Sequence, residues 1–302
     1  MLLPNPSGGY WMNTDKPGGR VYFVGGGTTA SKGKSGTGIA ASDINDGQDP
    51  NRPLATISQG ITLARAGVGD TICILPGNIE TTAVTTISKA DITITGIDSG
   101  SPIPASSLLR TGAFDALDVT AANVVIENLL FTASGSAQGT RINAGAAGLT
   151  VRNCVFECGA YDEMTITAPD AGDDLLVEDC RFYITAEGPD SAVRAEAVGT
   201  ERLTVRNCTF HGDNDTNTWD LGAVYSTVAH TDCVIENNRF ILAQKAIIFS
   251  AAALGMISHN LMGSIGASLD AMLDPGSCMC FENYEADTIN ESGRLNPTTV
   301  AS

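Results

Sequence analysis

The segment His211-Gly212-Asp213-Asn214-Asp215-Thr216-Asn217-Thr218-Trp219-Asp220 crowds an unusual amount of chemistry into ten residues of this 302-residue chain. Asp213 and Asp215 are spaced to serve as paired carboxylates or as oxygen ligands for calcium. Trp219 offers a flat apolar ring of the kind that stacks on a sugar. Asp-Asn-Asp is equally ordinary turn chemistry, since short polar side chains hydrogen-bond their own backbone. The chain has three histidines, His211, His230 and His259, so its capacity for proton transfer near neutral pH is small. The segment therefore reads as a structural loop, and no catalytic residue, metal ligand or cofactor is assigned. Lys32-Gly33-Lys34-Ser35-Gly36-Thr37-Gly38 has lysines and glycines, but neither the order nor the preceding strand of a phosphate-binding loop.

The residues given a binding role are cations. Lys16, Arg20, Lys32 and Lys34 stand against Asp15 alone within residues 1–40, a local charge of +3. The whole chain carries −17, which leaves −20 on the remainder. A basic, Gly-rich arm on an acidic body implies two ends that meet different surroundings, with the four cations docking a partner protein. Nucleic acid is not the expected partner, because phosphate binding needs clustered cations. No run reaches the ~18 apolar residues of a membrane helix, so no membrane partner is expected either. Met1-Leu2-Leu3-Pro4-Asn5-Pro6 lacks the basic stretch and apolar core of a secretory leader, which points to synthesis in a cytoplasm.

What must position all these side chains is a repeat. Ile126 to Phe131, Val151 to Phe156, Val177 to Phe182, Val205 to Phe210 and Ile235 to Phe240 share one phrase: an aliphatic, a charge, Asn or Asp, two variable residues, then Phe. The turn positions 128, 153, 179, 207 and 237 are 25, 26, 28 and 30 residues apart. Self-similarity at that period means a solenoid, in which each coil buries its apolar face against its neighbours. Each coil resolves into three strands. Leu149 and Val151 point inward with Thr150 outward, Asn153 turns the corner in a left-handed conformation, and Cys154 and Phe156 point inward on the second strand. The third strand carries Ile142, Ile166, Val193, Val224 and Ile247, with Asn143, Thr165, Thr167, Arg194, Glu196 and Tyr225 facing out. Of these, Arg194 and Glu196 have the chemistry of an active site. About eight coils rising ~4.8 Å each give a rod on the order of 40 Å long.

The same register reassigns most other suspicious residues to structure. Glu127, Arg152, Glu178, Arg206 and Glu236 precede the turns, so their alternating signs form an outward ladder of ion pairs. Cys154, Cys180 and Cys208 share one inward position and should stack as reduced, buried groups; Cys233 falls inward where Leu149 and Leu203 do. Cys278-Met279-Cys280 is too tight for a usual zinc pair. His259 stands where the turn Asn stands and reads as structural. Asp162-Glu163 and Asp173-Asp174 read as a solvated face. Ahead of the repeats, Val21 to Val24 is a strand. Thr56 caps a helix over about 57–66 with Ile57, Ile61 and Ala64 on one face. Thr71 to Gly77 is a strand ending in a turn, and Asp91 to Gly96 is taken as the first strand of the ladder.

The stretch Asp49-Pro50-Asn51-Arg52-Pro53-Leu54-Ala55-Thr56-Ile57, then Gly69-Asp70-Thr71-Ile72 and Leu75-Pro76-Gly77, resembles the N-terminal cap of the pectate-lyase-like superfamily of right-handed parallel β-helices. The Val-x-Asn-x-x-Phe coils resemble its repeats, over roughly residues 46–265. The resemblance implies an all-β, single-stranded right-handed parallel β-helix with an N-terminal arm and capping helix. It implies little about activity, since that superfamily includes polysaccharide lyases, glycoside hydrolases, epimerases and virion proteins. Lyases of the superfamily set calcium-binding acids and an Arg on one exposed sheet, and its polygalacturonases pair Asp motifs with a His-Gly. Here His211-Gly212 is present without the upstream Asp-Asp. The expected organisation is an arm and first strand over 1–40, a β-helix over 41–290 and a tail over 291–302. The expected function is that of a bacteriophage virion structural protein, a capsid decoration or cement protein docked on the major capsid protein as a homotrimer. The alternatives are a polysaccharide lyase, hydrolase or tailspike-type depolymerase, and a short fibre or adhesion module.

Overall fold

Each motif strand is paired in parallel with its counterpart one coil further on. A computed structural model describes residues 18–25, 40–81, 83–97, 102–110, 116–133, 139–158, 164–169, 172–185, 189–196, 200–212, 219–241, 245–264, 272–287 and 293–295. The strands fall into three sheets of ten, ten and eight. The first sheet runs from Val21–Val24 through Thr71–Ile74, Thr93–Gly96, Val125–Glu127, Thr150–Arg152, Leu176–Glu178, Thr204–Arg206, Cys233–Glu236 and Gly255–Ser258 to Met279–Phe281. The second holds the Phe strands, among them Val155–Cys158, Arg181–Ile184, Thr209–His211 and Arg239–Ile241. The third holds Leu117–Val119, Ile142–Ala144, Met164–Ala168, Ser191–Ala195, Val224–Ser226 and Ile247–Phe249, with Thr85–Ile87 and Leu273–Asp274 at its edges. The chain is a right-handed parallel β-helix with one short helix among the described residues.

The register follows from the motif. Phe131, Phe156, Phe182, Phe210 and Phe240 are paired in sequence and buried. Their rings stack at 4.7 to 4.9 Å with planes 4 to 9° from parallel. That separation is one strand spacing, so the backbone ladder itself sets the ring stack. Ile142, Ile166, Val193, Val224 and Ile247 are all fully buried on the third sheet, as the alternation requires. Asn128, Asn153, Asp179, Asn207, Asn237 and His259 turn the corner with φ between 49 and 59°. Asn and Asp tolerate that region because their short polar side chains bond locally.

The ladder begins two strands earlier than Asp91 to Gly96. Val21–Val24 pairs with Thr71–Ile74, which pairs with Thr93–Gly96. The helix Ile57–Leu63 lies over that end with Ile57, Ile61 and Ala64 buried. Thr56 accepts from the Gln59 N–H, and the helix stops at Ala64 rather than near 66. Asp43 fixes the entry by accepting from the N–H groups of Ala55 and Thr56 and from the Thr56 hydroxyl, each at 2.9 Å. The backbones of Gly47 and Leu54 bond the free edge of Val21–Val24, and Phe23, Cys73 and Leu75 form a separate small cluster with Val21 and Ile97 packed against it. Burial pushes the Cys73 thiol up to about 12.

None of the eight cysteines forms a disulfide, and Cys154, Cys180, Cys208 and Cys233 are buried. Burial raises the Cys180 thiol well above its ordinary range, so it is a packing group and not a nucleophile. Farther along the same column the residue type changes. Asn238, Asn260 and Asn283 each bond the next: Asn238 Nδ2 donates to Asn260 Oδ1 at 3.1 Å and Asn260 Nδ2 to Asn283 Oδ1 at 2.9 Å. Each also donates to a main-chain carbonyl, of Val205, Ile235 and Ile257. Buried amides are tolerated there because both ends of each are satisfied.

Candidate functional site

Two surfaces hold the residues singled out by the sequence. The first is the N-terminal end. Among the four assigned cations, Lys16, Lys32 and Lys34 lie outside the described residues. Arg20 is described and exposed, and its backbone is locked: its N–H donates to Asp70 Oδ1 at 2.7 Å and its carbonyl accepts from Thr71 at 2.7 Å. The Gly18 carbonyl accepts from Arg65 Nη2 at 2.9 Å. A Cβ on Gly19 would sit 2.2 Å from the Gly69 carbonyl oxygen, so only glycine allows the chain this close. Asp70 is the hub. Fully buried, it also accepts from the Arg65 N–H, Nε and Nη2 at 2.8, 3.1 and 2.8 Å. Burial alone would raise its carboxyl pKa. The Arg65 side chain and the Arg20 and Arg65 N–H groups outweigh that and hold it below the ordinary range. Residues 18–20 are therefore part of the folded end of the solenoid.

The second surface is the outward face of the third sheet. Asp118, Asn143, Thr167, Arg194, Tyr225 and Ile248 are successive partners in one column. Thr167 donates to Asn143 Oδ1 at 3.3 Å, and Asn143 Nδ2 donates to Asp118 Oδ1 at 3.0 Å. Arg194 lies 5.6 Å from the Tyr225 ring centroid, with Glu196 at 3.3 Å and Asp190 at 3.6 Å. The guanidinium is thus held by two carboxylates and an aromatic face, with its side chain 23% exposed. Asn143, Arg194 and Tyr225 keep amide, guanidinium and phenol groups partly exposed on this face, whereas Thr167, expected there, is buried with its hydroxyl turned to Asn143. Thr165, expected on this face, is instead fully buried at the sheet corner beside Cys158 Sγ at 3.3 Å.

The segment that opened the sequence analysis divides. Residues 213–218, with Asp213 and Asp215, lie outside the described set. Trp219 does not offer a sugar platform. It is 1% exposed and packs edge-on to Phe210 at 6.0 Å, because the coil needs an apolar cover over the Phe column there. His211 stands outward against Tyr183 at 5.9 Å. His230 is buried between the Thr200 carbonyl and the Ser226 hydroxyl, and burial lowers its pKa, so it is a neutral packing group. His259 occupies the turn column at φ 57°, its Nε2 2.6 Å from Glu282. The charge ladder is formed as its register requires, with Arg152 2.6 Å from Glu127 and Arg206 2.7 Å from Glu178. Such exposed pairs contribute a few tenths of a kcal/mol each.

Sequence reasoning missed a second left-handed column. Asp91, Asn123, Asp174, Arg202 and Asp232 have φ between 55 and 59°, and Gly148 has 77°. Arg202 is the odd member, and it is bound by Asp174 and Glu201, each at 2.5 Å. Asp174 is exposed, as a solvated face requires, and also pairs with Arg202. All its members but Arg202 are the Asn, Asp or Gly that favour this conformation, but they share no flanking Phe to mark them. Buried Arg141, donating to the Thr132 and Glu157 carbonyls, was also missed. Among the described residues, no group of three or more His, Cys, Asp or Glu is placed to hold a metal ion, and no helix is long and apolar enough to cross a membrane.

No family model matches the chain, and no curated protein is similar to it in sequence. Solved structures are similar in fold. They include the ORF18 protein of Geobacillus virus E2, with 12% identity, TM-score 0.46, and 79% of this chain matched to 59% of that one. A PL6 alginate lyase in complex with a trisaccharide matches with 14% identity, TM-score 0.49, and 88% of this chain against 55% of that one. The pectin methylesterase of Aspergillus niger in deglycosylated form matches with 11% identity, TM-score 0.50, and 95% of this chain against 91% of that one. The chain thus spans a little over half the length of the first two. What is shared at these identities is architecture, and the protein takes its place among the right-handed parallel β-helices.

Proposed function

We propose that this protein is a virion structural component of a bacteriophage, a rod attached by its basic N-terminal end with its acidic body projecting. The observation that carries the reading is the segregation of charge onto a locked end. Residues 1–40 carry +3 and the remainder −20, and Gly18 to Arg20 are clamped to the terminal strand pair through Asp70 and Arg65. The shared negative charge of the remainder keeps projecting bodies apart. A decoration role on the major capsid protein, through Lys16, Arg20, Lys32 and Lys34, is the specific form of this reading, with trimeric assembly checked by sedimentation equilibrium. The test replaces Lys16, Arg20, Lys32 and Lys34 together with Ala, which leaves the clamp intact because it uses only the backbone of Arg20. The variant should remain folded and fail to co-sediment with particles that lack the protein. Undiminished co-sedimentation would overturn the attachment.

A second reading, polysaccharide binding or cleavage, is favoured by the stripe from Asp118 to Tyr225. Release of reducing ends from an acidic polysaccharide, abolished by Arg194→Ala or by Asp213→Ala with Asp215→Ala, would replace the first reading with this one.

A further inference from the structure

The cysteine sulfurs are not all alike. Cys154, Cys180 and Cys208 sit in successive inner coils, each flanked on both sides, with their thiols turned to main-chain carbonyls. Cys233 and Cys278 are two coils apart, yet their sulfurs lie 3.3 Å from each other. Residues two strands apart are ordinarily too distant to meet. Gly255 removes the obstacle. It pairs with Cys233 from the intervening strand, adopts φ 153°, and any Cβ there would fall 2.7 Å from Cys233 Sγ and 2.0 Å from the Cys233 carbonyl oxygen. The intervening strand therefore puts no side chain between the two sulfurs. Cys278 leads directly into Met279–Phe281, the last strand of the first sheet, which has a neighbour on one side only. A terminal strand can shift inward in a way that an inner one cannot. Cys278 is also 6% exposed where Cys233 is fully buried, so a small reagent meets it first.

We propose that Cys233 and Cys278 are an oxidisable dithiol that closes, by exchange with a small disulfide of the glutathione class, into a cross-link tying the terminal coil to the coil two before it. The hydrogen bond to Cys233 and burial keep the proton on Cys278 and raise its thiol pKa, so Cys278 Sγ gives up that proton as it attacks one sulfur of the reagent, forming a mixed disulfide and expelling one glutathione thiolate. The Cys233 thiolate then attacks Cys278 Sγ and expels the second. Two protein S–H bonds and the reagent S–S bond are consumed; one protein S–S bond and two glutathione thiols result, which take up the two protons. Closure brings the sulfurs from 3.3 Å to about 2.05 Å through movement of the terminal coil.

The test treats the full chain with glutathione disulfide and measures intact mass, peptide linkage and amide exchange. The expected product has lost two hydrogens, joins a peptide containing Cys233 to one containing Cys278, and exchanges its 279–281 amides about tenfold more slowly or less. Cys280→Ser should leave the cross-link unchanged and Cys278→Ser should abolish it; Cys278 is near the surface, so this variant is informative even where Cys233→Ser does not fold. Free thiols throughout, a glutathione adduct that never resolves, or linkage through Cys280 would each overturn the proposal.

Discussion

Phe182 stacks on Phe210 with ring centroids 4.9 Å apart and planes 4° from parallel, at the middle of a five-ring column. Truncating the middle ring removes contacts on both its faces and leaves a cavity the ladder cannot close, since the strand spacing is fixed by backbone hydrogen bonds. Phe182→Ala should cost about 3–5 kcal/mol. Denaturant unfolding monitored by far-UV circular dichroism checks this, and a loss below about 1 kcal/mol would contradict the packing account.

Asn260 is bonded above and below within a buried column. Asn260→Leu restores the side-chain class found at Leu129 in the same column but strands the Asn238 N–H and removes one of the two donors to Asn283 Oδ1. The expected loss is about 2–3 kcal/mol, whereas Cys180→Ala, which strands no strong donor, should cost about 1 kcal/mol. Reversal of that order in thermal melts would count against the ladder.

Asp70 gives the N-terminal end a pH dependence. Its folded pKa lies below the ordinary carboxylate value, so its contribution is fully present above an unfolded pKa near ~4 and is lost as pH falls through the lower folded value. Amide exchange of Val21–Val24 should accelerate on acidification through that window. Asp70→Asn should flatten the acid response and cost about 2–3 kcal/mol at neutral pH. An unchanged acid profile in the variant would remove Asp70 from the clamp.

Arg202 holds a left-handed backbone that its neighbours in the column give to Asn, Asp or Gly. Arg202→Asn should change stability by less than about 0.5 kcal/mol, losing exposed ion pairs while easing the backbone. Arg202→Val, β-branched in the same conformation, should cost about 1–2 kcal/mol. Equal stability of the two variants would show that the conformation is not what matters there.

The sequence determined the architecture because a solenoid writes its contacts at a fixed period. Once Asn153, Asp179 and Asn207 were aligned, the Phe stack, the thiol column and the Glu127–Arg152 and Glu178–Arg206 pairs followed from strand alternation alone. The tertiary structure decided what has no period. Trp219 turned inward because a single coil needed an apolar cover. Thr165 was buried at a corner that alternation cannot see. Gly18 to Arg20, which read as loose arm, became part of the folded end because Asp70, 50 residues from Arg20, collects their hydrogen bonds. Cys233 met Cys278 across two coils only because Gly255 stands between them without a side chain. Periodic neighbours are encoded by composition at equivalent positions; partners joined by an end, a corner or a missing side chain are fixed by the path of the backbone in space, which the repeat does not record.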